Sequence, residues 1–236
     1  MSWLDRIRGS ARPAPKVIGP ADPILTAAVV AIVAFGVVMV FSASAVFAAE
    51  RYDNPLHFLV RQGSFAIVGL GLMLLIARID YHLYERFTYP ALGVAVLLLM
   101  IVVLGFGHAA GGAKRWIAVG PVNIQPAEAA KLALILYLAS SLSKKRDRIR
   151  SFQIGFLPHV LVAGFLMLLC LEQPDFGSAV MIGLLTFVLL FTAGARIGYL
   201  LGGVLLAAPM AYLLIATSAY RMRRIEAFLE PFEHRY

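Results

Sequence analysis

Seven stretches of this chain are continuously apolar over roughly the length of a membrane span: residues 22–48, 57–78, 84–107, 126–142, 155–171, 176–194 and 197–218. A hydrocarbon core needs about 20 residues of helix to cross it, within a range of ~17–25. The runs show no alternation of apolar and polar positions, so they predict helices and disfavour a barrel. The fourth and fifth are short, which suggests that they begin or end at a cavity. The expected fold class is an all-α polytopic membrane protein with about seven transmembrane helices. The expected organisation is a cytoplasmic segment over 1–21, a seven-helix core over 22–218, and the start of an extracytoplasmic loop over 219–236. In that last stretch Met222, Ile225, Phe228 and Leu229 recur at helical spacing between arginines, which predicts an amphipathic helix at the outer interface that ends at Pro231.

Composition strengthens this picture. Of the 236 residues, 61% are hydrophobic, where soluble domains hold ~45–50%. The mean hydropathy is +0.83. The net charge of +8 would suit nucleic-acid binding in a soluble protein. Here the cations sit in short loops between apolar runs, which fits membrane topology better.

Those cations also orient the chain. With the N-terminus inside, twelve lie on the cytoplasmic side, among them the block at 144–150, and eight lie outside. Lys131 falls within a span. The bias predicts a cytoplasmic N-terminus. The exceptions are informative, because Lys114, Arg115, Arg221, Arg223 and Arg224 all fall outside. Either an anionic lipid-linked substrate or phospholipid headgroups would hold them there.

The N-terminal features resemble a signal peptide, with Arg6, Arg8 and Arg12 before the first apolar run and Ala43-Ser44-Ala45 after it. The run is longer than the ~7–15 residues of a signal core, so a retained first span is expected. Cys170 is the sole cysteine and lies in an apolar run, so no intramolecular disulfide forms. The five histidines show no metal-binding spacing, and no metal site is expected. No cofactor is expected, and a divalent-cation requirement is not readable from the sequence. Gly198-x-x-x-Gly202 is a weak signal for close helix packing.

Three places put charge where it is expensive. The first joins Gly112-Ala113-Lys114-Arg115-Trp116-Ile117 to Gln125-Pro126-Ala127-Glu128-Ala129-Ala130-Lys131. Pro126 starts the fourth span, and Glu128 lies in its first turn, where the helix dipole favours an anion. Lys131 follows at i+3 on the same face, so the two are expected to pair. The pair reads either as the polar floor of a substrate cavity or as a structural ion pair. The second place is Glu172-Gln173-Pro174-Asp175-Phe176-Gly177. Asp175 reads either as the N-cap of the sixth span or as a ligand for a sugar hydroxyl. The third is Tyr220-Arg221-Met222-Arg223-Arg224-Ile225. Its arginines suit a pyrophosphate, or equally a headgroup-facing surface.

Together these motifs resemble the SEDS family (shape, elongation, division and sporulation), the FtsW/RodA/SpoVE peptidoglycan glycosyltransferases. The resemblance rests on G-A-K-R-W-I at 112–117, Q-P-A-E-x-x-K at 125–131, Q-P-D-F-G at 173–177 and Y-R-x-R-R-I-x-x-F-L-x-P at 220–231. It covers essentially the whole chain. Met39-Val40-Phe41-Ser42-Ala43-Ser44-Ala45 and Asn54-Pro55 with Phe58-Leu59-x-Arg61-Gln62 are closer to the division and sporulation branch (FtsW, SpoVE) than to the elongation branch (RodA). Ala127 stands where the family commonly has serine, and Glu230 where it commonly has aspartate or asparagine.

The resemblance implies about ten transmembrane helices, of which this chain would supply seven, so that it reads as C-terminally truncated. It implies lipid II as substrate, a disaccharide-pentapeptide on undecaprenyl pyrophosphate, and glycan polymerisation at the outer face of the cytoplasmic membrane during division. The implied general base is an aspartate just after Tyr236, so no catalytic residue is expected in this chain, and the 236 residues alone are expected not to polymerise lipid II. The expected substrate-binding residues are Lys114, Arg115, Trp116, Glu128, Lys131, Asp175, Arg221 and Arg224. Lys114, Arg115, Arg221 and Arg224 would hold phosphates, while Glu128, Lys131 and Asp175 would shape the cavity. The implied partner is a class B penicillin-binding protein, and the implied location the division septum. A lipid II flippase or a non-catalytic division scaffold would use the same features. Nucleic acid is not an expected partner.

Overall fold

A computed structural model describes residues 22–110, 113–120, 122–218 and 221–222. The segment 1–21 and most of the region expected to form the amphipathic helix lie outside the described residues. The described chain is overwhelmingly helical, with seven α-helices. They are α1 (Pro23–Tyr52), α2 (His57–Ile76), α3 (Tyr81–Ile101), α4 (Pro126–Lys144), α5 (Leu157–Glu172), α6 (Phe176–Thr192) and α7 (Ile197–Ala216). Each corresponds to one predicted apolar run. Five helical segments are long and apolar enough to cross a membrane: α1, α2, α3 with its extension to Phe106, α5 with the turn that precedes it from Phe152, and α7. At 17 residues α6 is shorter. Large apolar side chains such as Phe35, Ile67, Leu205 and Leu206 stand exposed along these helices. Apolar surface on this scale is matched to lipid, not to water, and the protein is a polytopic membrane protein.

The chain divides into two compact units, Met1–Tyr84 and Glu85–Tyr236. In the first, α1 and α2 form an antiparallel helical hairpin. Asp22 caps α1 by accepting from the Ile24 and Leu25 amides at 2.8 and 3.1 Å. At the turn, Tyr52 stacks on His57 with ring centroids 4.3 Å apart, and Phe58 packs edge-on against Tyr52.

The second unit is built around α6, which packs along both α4 and α5. Its core includes Leu99 of α3, Leu134 and Leu138 of α4, Leu166 and Cys170 of α5, and Ile182 and Leu190 of α6. On α4 the buried Ala127, Ala130 and Ala133 form a small-residue stripe that lets neighbouring backbones approach closely. Gly198 and Gly202 of α7 face open space, so that glycine pair is not at a packed interface among the described residues. Gly155 is required by contact, because any Cβ there would collide with the Ile149 backbone. One buried polar cluster ties the α4 and α5 ends together. His159 Nδ1 lies 2.8 Å from the Gly155 carbonyl oxygen, and its Nε2 lies 2.9 Å from Ser141 Oγ. A carbonyl can only accept, so Nδ1 carries the proton and Ser141 donates to Nε2.

The stretch between α3 and α4, expected as an outer loop, carries short strands within the otherwise all-α fold. After a π-helical turn at Val102–Phe106, the chain forms a small antiparallel sheet in the order β1-β2-β3. The strands are β1 (His108–Ala110), β2 (Ala113–Val119) and β3 (Val122–Ile124). Trp116 pairs with His108, Lys114 with Ala109 and Ile117 with Ile124. The signals were present in the sequence, since glycines occupy 111 and 112, Gly120-Pro121 punctuates the next turn, and the stretch between is rich in strand formers.

Candidate functional site

Four chain segments meet at one end of the second unit: β2, the start of α4, the α5–α6 turn, and the residues beyond α7. Asp175 is their meeting point. It is the N-cap of α6, with Oδ1 accepting from the Ser178 amide at 3.1 Å and Oδ2 from Ser178 Oγ at 2.8 Å. Gln125 Nε2, at the N-cap of α4, donates to the same Oδ2 at 2.6 Å. Arg115 Nη1 of β2 lies 3.7 Å from Oδ1. Asp175 is 4% exposed, so this carboxylate is buried, charge-compensated and supplied with donors on both oxygens, as a buried charge must be. The two readings of Asp175 are therefore not exclusive, because the cap is also the junction of three elements.

The cluster retains unused capacity. Among the described residues, Arg115 Nε and Gln173 Oε1 are buried and have no hydrogen-bond partner. Gln173 is otherwise anchored through Nε2, which donates to the Leu99 carbonyl at 3.0 Å. Buried polar atoms without partners are rare in folded proteins, and one of these two belongs to the arginine that faces the buried carboxylate.

One turn into α4, Lys131 Nζ donates to Glu128 Oε1 at 2.7 Å, the pair expected from the i+3 spacing. Its side chains differ in environment, with Glu128 62% and Lys131 18% exposed. The lysine is the more enclosed partner. Lys114 and Arg115, adjacent on β2, point to opposite faces of the strand by its two-residue period, and Lys114 is exposed while Arg115 is half-buried. Trp116 is half-buried in the same strand. Arg221 donates through Nη1 to the Leu214 carbonyl at 2.5 Å and lies over the Phe176 ring, 5.5 Å from its centroid. This brings the segment after α7 to the first residue of α6. Arg224 lies outside the described residues.

The structure thus gathers Arg115, Asp175 and Arg221 around the start of α6, with Glu128 and Lys131 paired on α4. Sequence reasoning passed over Gln125, Gln173 and Ser178 as site residues. A signal existed, because Gln-Pro occurs twice, at the start of α4 (125–126) and in the turn between α5 and α6 (173–174). Among the described residues no three His, Cys, Asp or Glu side chains converge as metal ligands would.

Comparison with known proteins agrees with this geometry. The model of the FtsW/RodA/SpoVE cell cycle proteins matches residues 23–236. A protein of Trichlorobacter lovleyi named "Probable peptidoglycan glycosyltransferase FtsW" is 45% identical over 211 residues, which is 89% of this chain and 55% of that protein. A protein of the same name from Geobacter sulfurreducens is 41% identical over 92% of this chain and 59% of its own length. The chain thus spans less than two thirds of the length of these relatives. Among solved structures, a component of a peptidoglycan synthase complex, described as coordinating polymerization and crosslinking, superposes with a TM-score of 0.61. It is 28% identical, over 85% of this chain and 59% of that one. The rod shape determining protein RodA of Thermus thermophilus gives a TM-score of 0.57 at 31% identity, covering 75% of this chain and 58% of its own. With a family match across nearly its whole length and the same helical architecture, the chain belongs to the FtsW/RodA/SpoVE family of cell cycle proteins.

Proposed function

We propose that this chain forms the substrate-holding part of a peptidoglycan glycosyltransferase that polymerises lipid II at the outer face of the cytoplasmic membrane during division. The observation that carries this reading is the convergence of Arg115, Gln125 and Ser178 on the buried Asp175 at one end of an apolar bundle. The names of the relatives as probable peptidoglycan glycosyltransferases support it. In this reading the N-terminus is cytoplasmic and the Asp175 end faces outward, consistent with the excess of cations at the other end.

The reaction is inverting transfer. The 4-hydroxyl of the incoming lipid II attacks the anomeric carbon of the growing glycan, and undecaprenyl pyrophosphate leaves with the bonding pair. A carboxylate must take the hydroxyl proton. Asp175 is poorly suited, because donors occupy both of its oxygens. Glu128 is held by Lys131. These two therefore shape the cavity, and the base is assigned to the loop after α7. Lys114, Arg221 and Arg224 would neutralise the leaving pyrophosphate. Arg115, engaged by Asp175, would offer its remaining donors, and Trp116 a flat apolar wall. A class B penicillin-binding protein would cross-link the product, in keeping with the coupled activities described for the structural relative.

The test is binding of lipid II to the chain in lipid nanodiscs. Wild type is expected to bind, and Lys131→Ala and Asp175→Ala are expected to weaken binding at least about tenfold, the size of losing one charge-assisted contact. Unchanged affinity in both variants, with folding verified by thermal melting, would overturn the assignment. In cells, exchanging the charges of Lys114 and Glu128 should abolish septal glycan synthesis and leave localisation intact. A scaffold would tolerate both exchanges.

A further inference from the structure

The end of the second unit away from Asp175 holds a different arrangement. A cavity of about 560 Å³ opens between the 150 position and the α6–α7 turn, lined by Arg150, Gly194, Ala195, Arg196, Ile197, Gly198 and Tyr199. Two of these residues are arginines, and among the described residues neither has a carboxylate within ion-pair distance. Arg196 reaches only Tyr199, with Nη1 3.5 Å from the hydroxyl and the guanidinium 5.9 Å from the ring centroid.

The backbone adds to this field. α7 starts at Ile197 without a side-chain cap, and while the Tyr199 and Leu200 amides return to the Arg196 carbonyl, the positive end of the helix dipole lies at the cavity lining residues Ile197 and Gly198. The turn before it is held open by Gly194, whose φ of +87° closes α6 in a left-handed cap. There the Gly194 and Ala195 amides return to the Phe191 and Leu190 carbonyls. Gly194 and Gly198 have nothing near where a Cβ would stand, which keeps the cavity free of side chains.

An aromatic cluster adjoins the cavity. Tyr199, which lines it, packs against Phe152 and Phe156, and the three ring centroids lie 5.3–5.7 Å apart. Phe152 is exposed, and Phe156 reaches on to Gly203 of α7. Two guanidinium groups without a carboxylate partner among the described residues thus sit beside an aromatic cluster whose exposed member is Phe152, at the end of helices that cross the membrane. A soluble anion would use the arginines and gain nothing from the aromatic cluster. A phospholipid would use both, its phosphate bidentate on the arginines and its acyl chains along the rings.

We propose that this cavity is a binding site for the phosphate headgroup of an anionic phospholipid, held by Arg150, Arg196 and the start of α7. It is separate from the Asp175 cluster. The 17 residues of α6 set the two ends ~26 Å apart at 1.5 Å per residue.

The experiment uses the chain in nanodiscs of mixed phosphatidylglycerol and phosphatidylcholine, released and weighed by native mass spectrometry. Wild type should retain phosphatidylglycerol in preference to phosphatidylcholine. Two arginines near an anionic headgroup contribute roughly fivefold each, so Arg150→Gln/Arg196→Gln should lose about 25-fold of that preference. Lys144→Gln/Arg146→Gln removes the same charge at the end of α4 and just after it, off this cavity, and it should lose less than about threefold. Preference unchanged in the first variant, or reduced equally in the second, overturns the proposal. A third arm adds inorganic phosphate to detergent-solubilised protein. If phosphate raises the melting temperature through these arginines as much as phosphatidylglycerol does, the occupant is a soluble anion and the lipid assignment falls.

Discussion

Asp175 concentrates the largest local energetic risk in the described site. Replacing it with alanine removes the α6 cap, strands the Gln125 amide and leaves Arg115 without its counter-charge. The expected cost is about 3 kcal/mol, set by the uncompensated buried donors more than by the lost contacts. Asp175→Asn keeps an oxygen for the Ser178 amide and should cost roughly half as much, while Ser178→Ala should cost about 1 kcal/mol. Thermal melting in one detergent ranks all three, and an alanine variant no less stable than the asparagine variant would contradict the ordering. At this scale the sequence was only partly legible. The Glu128–Lys131 pair follows from helical spacing alone, and it is present. Gln125 and Asp175 lie fifty positions apart, and only the packing of α4 along α6 brings them together. No local pattern encodes that distance, so Gln125 read as a helix start and nothing more.

Between elements, small residues and short bridges set the geometry. Gly155→Ala would force the Ile149 backbone aside, and overpacking of this kind costs about 1–3 kcal/mol. It would also shift the carbonyl that orients His159, so loss of stability should come with altered protection of the His159 ring proton in NMR spectra. A second bridge joins the beginning of α3 to the end of α4, where Lys144 Nζ donates to Glu85 Oε1 at 2.9 Å. That hydrogen bond raises the Lys144 pKa. A raised lysine pKa contributes stability that is fully present below the unfolded value, ~10.4, and fades as pH rises through the folded one. The melting-temperature difference between wild type and Lys144→Met should therefore be flat from about pH 6 to 9 and shrink above about pH 10.5. The seven helices were legible because membrane spans announce themselves by composition. The sheet before α4 was legible only as turn glycines around a few strand formers, because three- and seven-residue strands give a far weaker signal than the apolar runs that flank them.

Across the second unit, α6 is the axis that α4 and α5 share, with the Asp175 cluster at its start and the arginine-lined cavity after its end. Its 17 residues rise only ~26 Å, against a hydrocarbon core of about 30 Å. Hydrophobic mismatch follows. In the orientation proposed above, the charged start of α6 would lie below the plane where headgroups begin, and the proposed lipid-linked substrate would meet it without lifting its phosphates far into water. The surrounding bilayer must thin or the helix ends must draw polar groups inward, at a cost of fractions of a kcal/mol per ångström. Bilayer thickness thereby becomes a control on the site. On the proposed function, lipid II affinity should fall as acyl chains lengthen from 14 to about 22 carbons, as titrations in nanodiscs of graded thickness would show. Membranes that differ only in depth would then differ in how readily this protein reaches its substrate.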